Sequence, residues 1–172
     1  MKKIIQLYVF VLACSFISAQ DFEVSTLRMG PYKISMEQAE VEKTSGTKMK
    51  VIDGTAKNAI KYGGEILSID FYSTYMIDTK KDVVSVLGMS TTSKKFKTKS
   101  GIGVGSTRDD LINAFRNHSS FSVSPSWDED GKRSPQNTGY FVLNDETAGT
   151  NLSFKFVNNV VTEISVSVNA GG

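Results

Sequence analysis

The chain has 172 residues, 20 of them basic and 18 acidic, with one cysteine and one histidine. Lys2 and Lys3 account for the whole net charge of +2, so the rest is formally neutral, and the basic pI of the whole chain is no sign of nucleic-acid binding. The lone cysteine excludes an internal disulfide framework and cysteine metal sites, and the length suffices for one domain whose core needs neither.

Residues 1–19, MKKIIQLYVFVLACSFISA, have the form of an export signal. Lys2 and Lys3 make the charged start, Ile4 to Ile17 the apolar run, and Ser18-Ala19 the small residues before a polar chain. The span is too short for a transmembrane helix, and no second apolar run of membrane length follows. Cleavage after Ala19 leaves Gln20 as the terminus and removes Cys14. The alternative is lipid attachment at Cys14, behind Val11-Leu12-Ala13, which would give an outer-membrane lipoprotein. Either product is exported, periplasmic or secreted, which argues against ATP-driven chemistry, gene regulation and thiol catalysis.

Residues 20–30 read as a lead-in, with a short strand at Phe22–Leu27. Residues 31–172 read as one domain of two similar halves, about 31–90 and 91–172, because one pattern occurs twice. Its first copy is Ile34–Val41 and its second is Val104–Leu111. Each has a β-branched residue, a small residue, a short polar start and an amphipathic helix. Thr107 can cap the second helix, with Asp110 three residues on and Asp109 and Asp110 at its positive end. Glu37 is a poorer cap for the first, near Glu37–Lys43. Leu111, Ile112 and Phe115 give the one-sided spacing of a short packed helix.

Strands follow each helix. After the first come Lys48–Ile52, Glu65–Met76 and Asp82–Met89, with Leu67, Ile69, Phe71 and Tyr75 on one face. After the second come Phe121–Ser124, Gly139–Leu143, Asn151–Val157 and Val160–Val168. Asn158-Asn159 makes a two-residue turn, since asparagine tolerates positive φ. Asp53–Gly64 reads as a connection, Asp78–Asp82 as a turn and Asp128–Asn137 as a polar loop. The expected fold class is α+β: two helix-plus-antiparallel-strand repeats forming one sheet, with the helices packed on one face.

An apolar-Gly-x-Thr step into a short helix, followed by antiparallel strands and given twice, resembles the tandem repeat of the beta-lactamase inhibitor proteins. The small outer-membrane assembly lipoproteins carry a single related unit. The residues that bear the resemblance are Ile34–Val41 and Val104–Leu111 with the strands behind them. The first copy departs by having Ser35 for the glycine and Glu37 for the threonine, and the inhibitors' disulfides have no counterpart here. The resemblance implies a fold, not a partner.

Gly101–Thr107 has neither the dinucleotide fingerprint, with Ser106 at its last glycine, nor the Gly-Lys of a nucleotide loop, and reads as a strand running into a capped helix. Asp128-Glu129-Asp130-Gly131 starts like a calcium loop, but Lys132, Arg133 and Pro135 break the ligand series. Lys94–Lys99 reads as a basic edge strand. His118 has no companions for a zinc site or a triad. Asn117 and Asn151 head chance glycosylation sequons. Asp109 and Asp110 have no apolar setting that would fit them for acid–base work. The expectation is therefore no catalytic residue, metal or cofactor. The chain reads as a non-enzymatic protein-binding or inhibitor-like module using a sheet face and loop tips. The runner-up is a cell-envelope structural or assembly factor. The partner would be a protein or envelope component, and the anchors Tyr72, Trp127 and Tyr140, aromatics out of phase with the core or beside a loop.

Overall fold

A computed structural model describes residues 20–50, 57–127 and 130–169. The export signal with Cys14, Val51–Ile52 of the first expected strand, and Asp128-Glu129 of the calcium-like loop lie outside the described residues.

The alternating segments form the strands of a seven-stranded antiparallel sheet. Its members are β4 (Lys57–Tyr62), β5 (Glu65–Met76), β6 (Lys81–Thr91), β8 (Phe121–Pro125), β9 (Gly139–Asp145), β10 (Thr150–Val157) and β11 (Val160–Val168). Their spatial order is β4-β5-β6-β11-β10-β9-β8. Two-residue turns close the β4–β5 and β10–β11 hairpins, Gly63-Gly64 and Asn158-Asn159, all four at positive φ, which suits the twist of such a hairpin. Two meanders, β4–β6 and β8–β11, meet where Val166 pairs with Met89.

A second sheet is built from four two-residue strands: β1 (Glu23–Val24), β2 (Arg28–Met29), β3 (Tyr32–Lys33) and β7 (Lys97–Thr98). β1 pairs antiparallel with β2 and parallel with β7. The Arg28 guanidinium fastens this corner by bonding to the Asp21 and Glu23 carboxylates and to the Gly30 carbonyl.

Among the described residues there are two helices, α1 (Gln38–Ser45) and α2 (Arg108–Phe115), of eight residues each. α2 starts in a full capping box: the Thr107 hydroxyl accepts from the Asp110 N–H, and the Asp110 carboxylate from the Thr107 N–H. α1 has no side-chain cap at Glu37 and ends on Gly46 in the left-handed region. The chain ahead of each helix is held alike. Ser35 N–H donates to the Val86 carbonyl, and Val86 N–H to that of Met36. Gly105 N–H donates to the Val161 carbonyl, and Val161 N–H to that of Ser106. Ser35 has φ 63 where Gly105 has φ 92, so the serine bears a conformation that glycine takes without strain.

This local likeness does not extend to the expected fold class, which the structure corrects. Among the described residues the protein is mostly β, with 50% in strands against 11% in helices, and has two sheets rather than one α+β sheet of helix-plus-strand repeats. The lead-in is not a tail: it supplies β1 and β2. Residues 57–62, expected as a connection, form β4, and only Lys97–Thr98 of the basic Lys94–Lys99 segment is strand. Each helix fully buries one residue, Val41 or Leu111. Each is a small patch on a sheet protein, not a layer.

One contiguous core joins these parts. Leu67, Ile69, Phe71, Met89, Phe141, Leu152, Phe154, Ile164 and Val166 line the inner face of the large sheet. They meet Val24, Met29 and Tyr32 of the small sheet, Phe96, and the two helix residues. Phe115 of α2 lies 6.0 Å from both Phe141 and Phe154, ring centre to ring centre. The other face carries mostly small side chains along its middle, with Ile66, Val157 and Val160 exposed toward its margins. Ala59, Ser68, Ser90, Ser165, Ser153, Val142 and Ser122 form one continuous row across all seven strands.

Candidate functional site

The three expected anchors fall in three separate places. Tyr72 stands half-buried on the outer face of β5, opposite Ser85. Tyr140 is on the same face of β9, between Lys155 and Ser124. Four strand spacings and six residues of register separate them, about 25–30 Å on a flat sheet. Trp127 lies past the end of β8, 64% exposed, bridged through its backbone to Arg133. It continues the alternation of Phe121, Val123 and Pro125, which is the core-side parity, so it and Tyr140 belong to opposite faces.

The largest apolar exposure was not among those anchors. The β5–β6 hairpin outruns the core: Ser73–Met76 are all exposed although their pairing continues to Met76 opposite Lys81. Four residues of strand make an arm about 14 Å long. Tyr75, 59% exposed, and Ile77, 84% exposed, crown it with Met76 between them. Tyr75 shares the parity of Leu67 and Ile69, as expected, but among the described residues it lies outside the buried core. The sequence signal was Met76-Ile77 directly against Asp78-Thr79-Lys80-Lys81, because apolar residues at a polar turn have no core to enter.

The second exposed apolar feature is the free edge at β8. The Asn144 N–H donates to the Ser120 carbonyl at 3.0 Å. In the β8–β9 register, residues 120, 122 and 124 therefore turn their backbone groups to β9. Phe121, Val123 and Pro125 turn theirs outward. Phe121 stacks on buried Phe141 at 5.3 Å, yet it and Val123 stay 40% and 45% exposed.

The remaining candidates are local structure. The His118 ring Nδ1 lies 3.0 Å from the Ser120 carbonyl oxygen and accepts from the Ser120 N–H at 3.3 Å. Asp110 serves its cap, and the hydrogen bonds from Thr107 hold its carboxyl below the usual range. Among the described residues no three His, Cys, Asp or Glu side chains gather as metal ligands. A depression of about 550 Å³ beside Ile66 and Thr92 is crossed by the Lys95–Glu65 ion pair at 2.8 Å, whose lysine lowers the Glu65 pKa. Glu42 gathers the Lys48 ammonium, the Met49 N–H and the Gln38 amide, which pull its pKa down to about 2. These contacts tie the end of α1 to the chain that follows it. Burial raises the Tyr32 pKa, and its hydroxyl has no hydrogen-bond partner among the described residues.

Among the described residues no helix is long and apolar enough to cross a membrane. The fold and its exposed surfaces define a mostly β, two-sheet protein with a projecting hairpin and one open apolar edge. No family model, curated protein or solved structure matches the chain.

Proposed function

We propose that the protein is an exported, non-enzymatic protein-binding module that engages its partner through the β5–β6 hairpin tip. The observation that carries this is the exposure of Tyr75, Met76 and Ile77 at the end of an arm paired along its length. Exposed singly, such residues would mean little. Three in succession on a tip fixed by backbone pairing form a preorganised anchor, which lowers the ordering cost of association. An inhibitor-like role is the version that the family resemblance suggests. Tyr72, at the root of the same arm, is the expected anchor nearest this site.

The test compares the exported protein with a Tyr75→Ser/Ile77→Ser variant in cross-linking pull-downs from envelope and medium. The partner identified with the unaltered protein should bind the variant at least about 30-fold more weakly, the effect of losing one interface hot spot. The melting temperature should not change, because neither residue touches the core. Equal affinity would reject the tip as the site. The alternative role, a lipid-anchored envelope assembly factor, rests on Cys14 behind Ala13. It requires an intact mass carrying acyl chains, whereas cleavage after Ala19 leaves Gln20 first.

A further inference from the structure

The two edges of the large sheet are treated differently. β4 carries the exposed Lys61, and an edge lysine discourages pairing with other strands. β8 carries no lysine, and its one edge-blunting residue, Pro125, stands at its end. Between Arg116 and Asp128 the chain contains no Lys, Arg, Asp or Glu. It presents exposed Phe121 and Val123 with half-buried Pro125 on one face and exposed Ser122 and Ser124 on the other.

We propose that β8 pairs antiparallel with β8 of a second copy, centred on Val123, joining two seven-stranded sheets into one. The occupant follows from the strand's own pattern. An uncharged edge can meet its own copy without repulsion. Centring on Val123 overlaps all five residues and preserves both faces. Phe121 lies beside Pro125 of the partner subunit, Val123 beside the partner's Val123, and Ser122 beside the partner's Ser124. The backbone agrees with this register. The outward groups of Val123 exchange two hydrogen bonds with the partner's Val123 across a pair about 5.5 Å apart at Cα. The Phe121 N–H donates to the carbonyl of Pro125 of the partner subunit, and the symmetric bond repeats it. Only Pro125 lacks a donor, and it lies at the end of the overlap. Trp127, two residues further on the same alternation, falls diagonally across from the partner's Phe121 and covers an apolar ring that is 40% exposed in the single chain.

The experiment is sedimentation equilibrium on the exported protein over a wide concentration range. The unaltered protein should approach twice its monomer mass as concentration rises. Val123→Lys and Val123→Glu should each be monomeric with unchanged melting, because Val123 is already half in water. An equimolar mixture of the two should dimerise again, since opposite charges then face each other across the pair. Val123→Pro removes only an outward N–H, which an edge tolerates, and should weaken the dimer at least about tenfold with the fold intact. An unaltered protein that stays monomeric up to millimolar concentration overturns the proposal. So does a dimer that survives Val123→Lys, or a charge-swapped mixture that stays monomeric.

Discussion

Gly139 opens β9 beneath the end of β8, and replacing it by alanine tests that junction. Its φ lies in the ordinary range, so the substitution adds no backbone strain of its own. The added Cβ would lie 2.2 Å from the Ser124 carbonyl oxygen, 3.2 Å from the Pro125 Cα and 3.1 Å from the Phe156 ring. A carbon and a carbonyl oxygen meet at about 3.3 Å, so the β8 backbone must retreat by about 1 Å. That oxygen belongs to the main chain, and no rotamer change can relieve the clash. Overpacking of this kind costs about 3 kcal/mol, and the retreat also loosens the β8–β9 ladder. Gly149→Ala is the control. It has φ 64 and open space around it, so only conformational strain of about 1 kcal/mol applies. Denaturant titration should rank Gly139→Ala well below Gly149→Ala in stability. Hydrogen exchange should quicken selectively at the amides of Ser122, Ser124, Tyr140 and Val142. Equal costs for the two substitutions would show that β8 does not press on Gly139 and would remove the basis for its edge geometry.

Ser35→Gly should stabilise the protein by about 0.5–1 kcal/mol in thermal melts, because the serine holds φ 63 where glycine is at ease. Phe141→Ala should cost about 3–5 kcal/mol, since the ring is fully buried against Phe115, Phe121 and Phe154; a cost under 1 kcal/mol would contradict the docking of α2. Glu42 should titrate near 2 by carboxyl-carbon NMR. Its folded pKa lies below the unfolded value, so its contribution is present above the ordinary carboxylate range and fades as pH falls toward 2. Glu42→Gln should therefore flatten the acid limb of the stability profile, and an unchanged limb would deny the Lys48 and Met49 contacts their role.

The long strands were legible because burial on one side imposes alternation. Leu152, Phe154 and Phe156 repeat every second residue, and β10 spans the residues they mark. β4 was not legible: in KNAIKY the buried Ile60 stands in a sequence of lysines and asparagine, so the segment carries the composition of a loop. The small sheet was out of reach for another reason. Two-residue strands have no period, and the pairing of β1 with β7 depends on residues more than seventy positions apart. The fold class failed on those strands and on the helices, whose amphipathic pattern was real but marked eight residues each. For the site, alternation tells which face a residue takes and not whether anything covers it. That is why Tyr75 was assigned to the packed face and proved exposed, while Trp127, read from its loop setting, is also largely in water.

The last strand in the chain occupies the middle of the large sheet. β11 is what connects β6 to β10, so the sheet cannot close until residues 160–168 are available. Shortening the chain from its end would not trim a margin. It would bisect the sheet and bare two new edges at once, on β6 and β10, each lined with unpaired backbone groups. A nascent or clipped molecule is thus exposed to mispairing at its centre, while the finished large sheet, among the described residues, has its edges at β4 and β8.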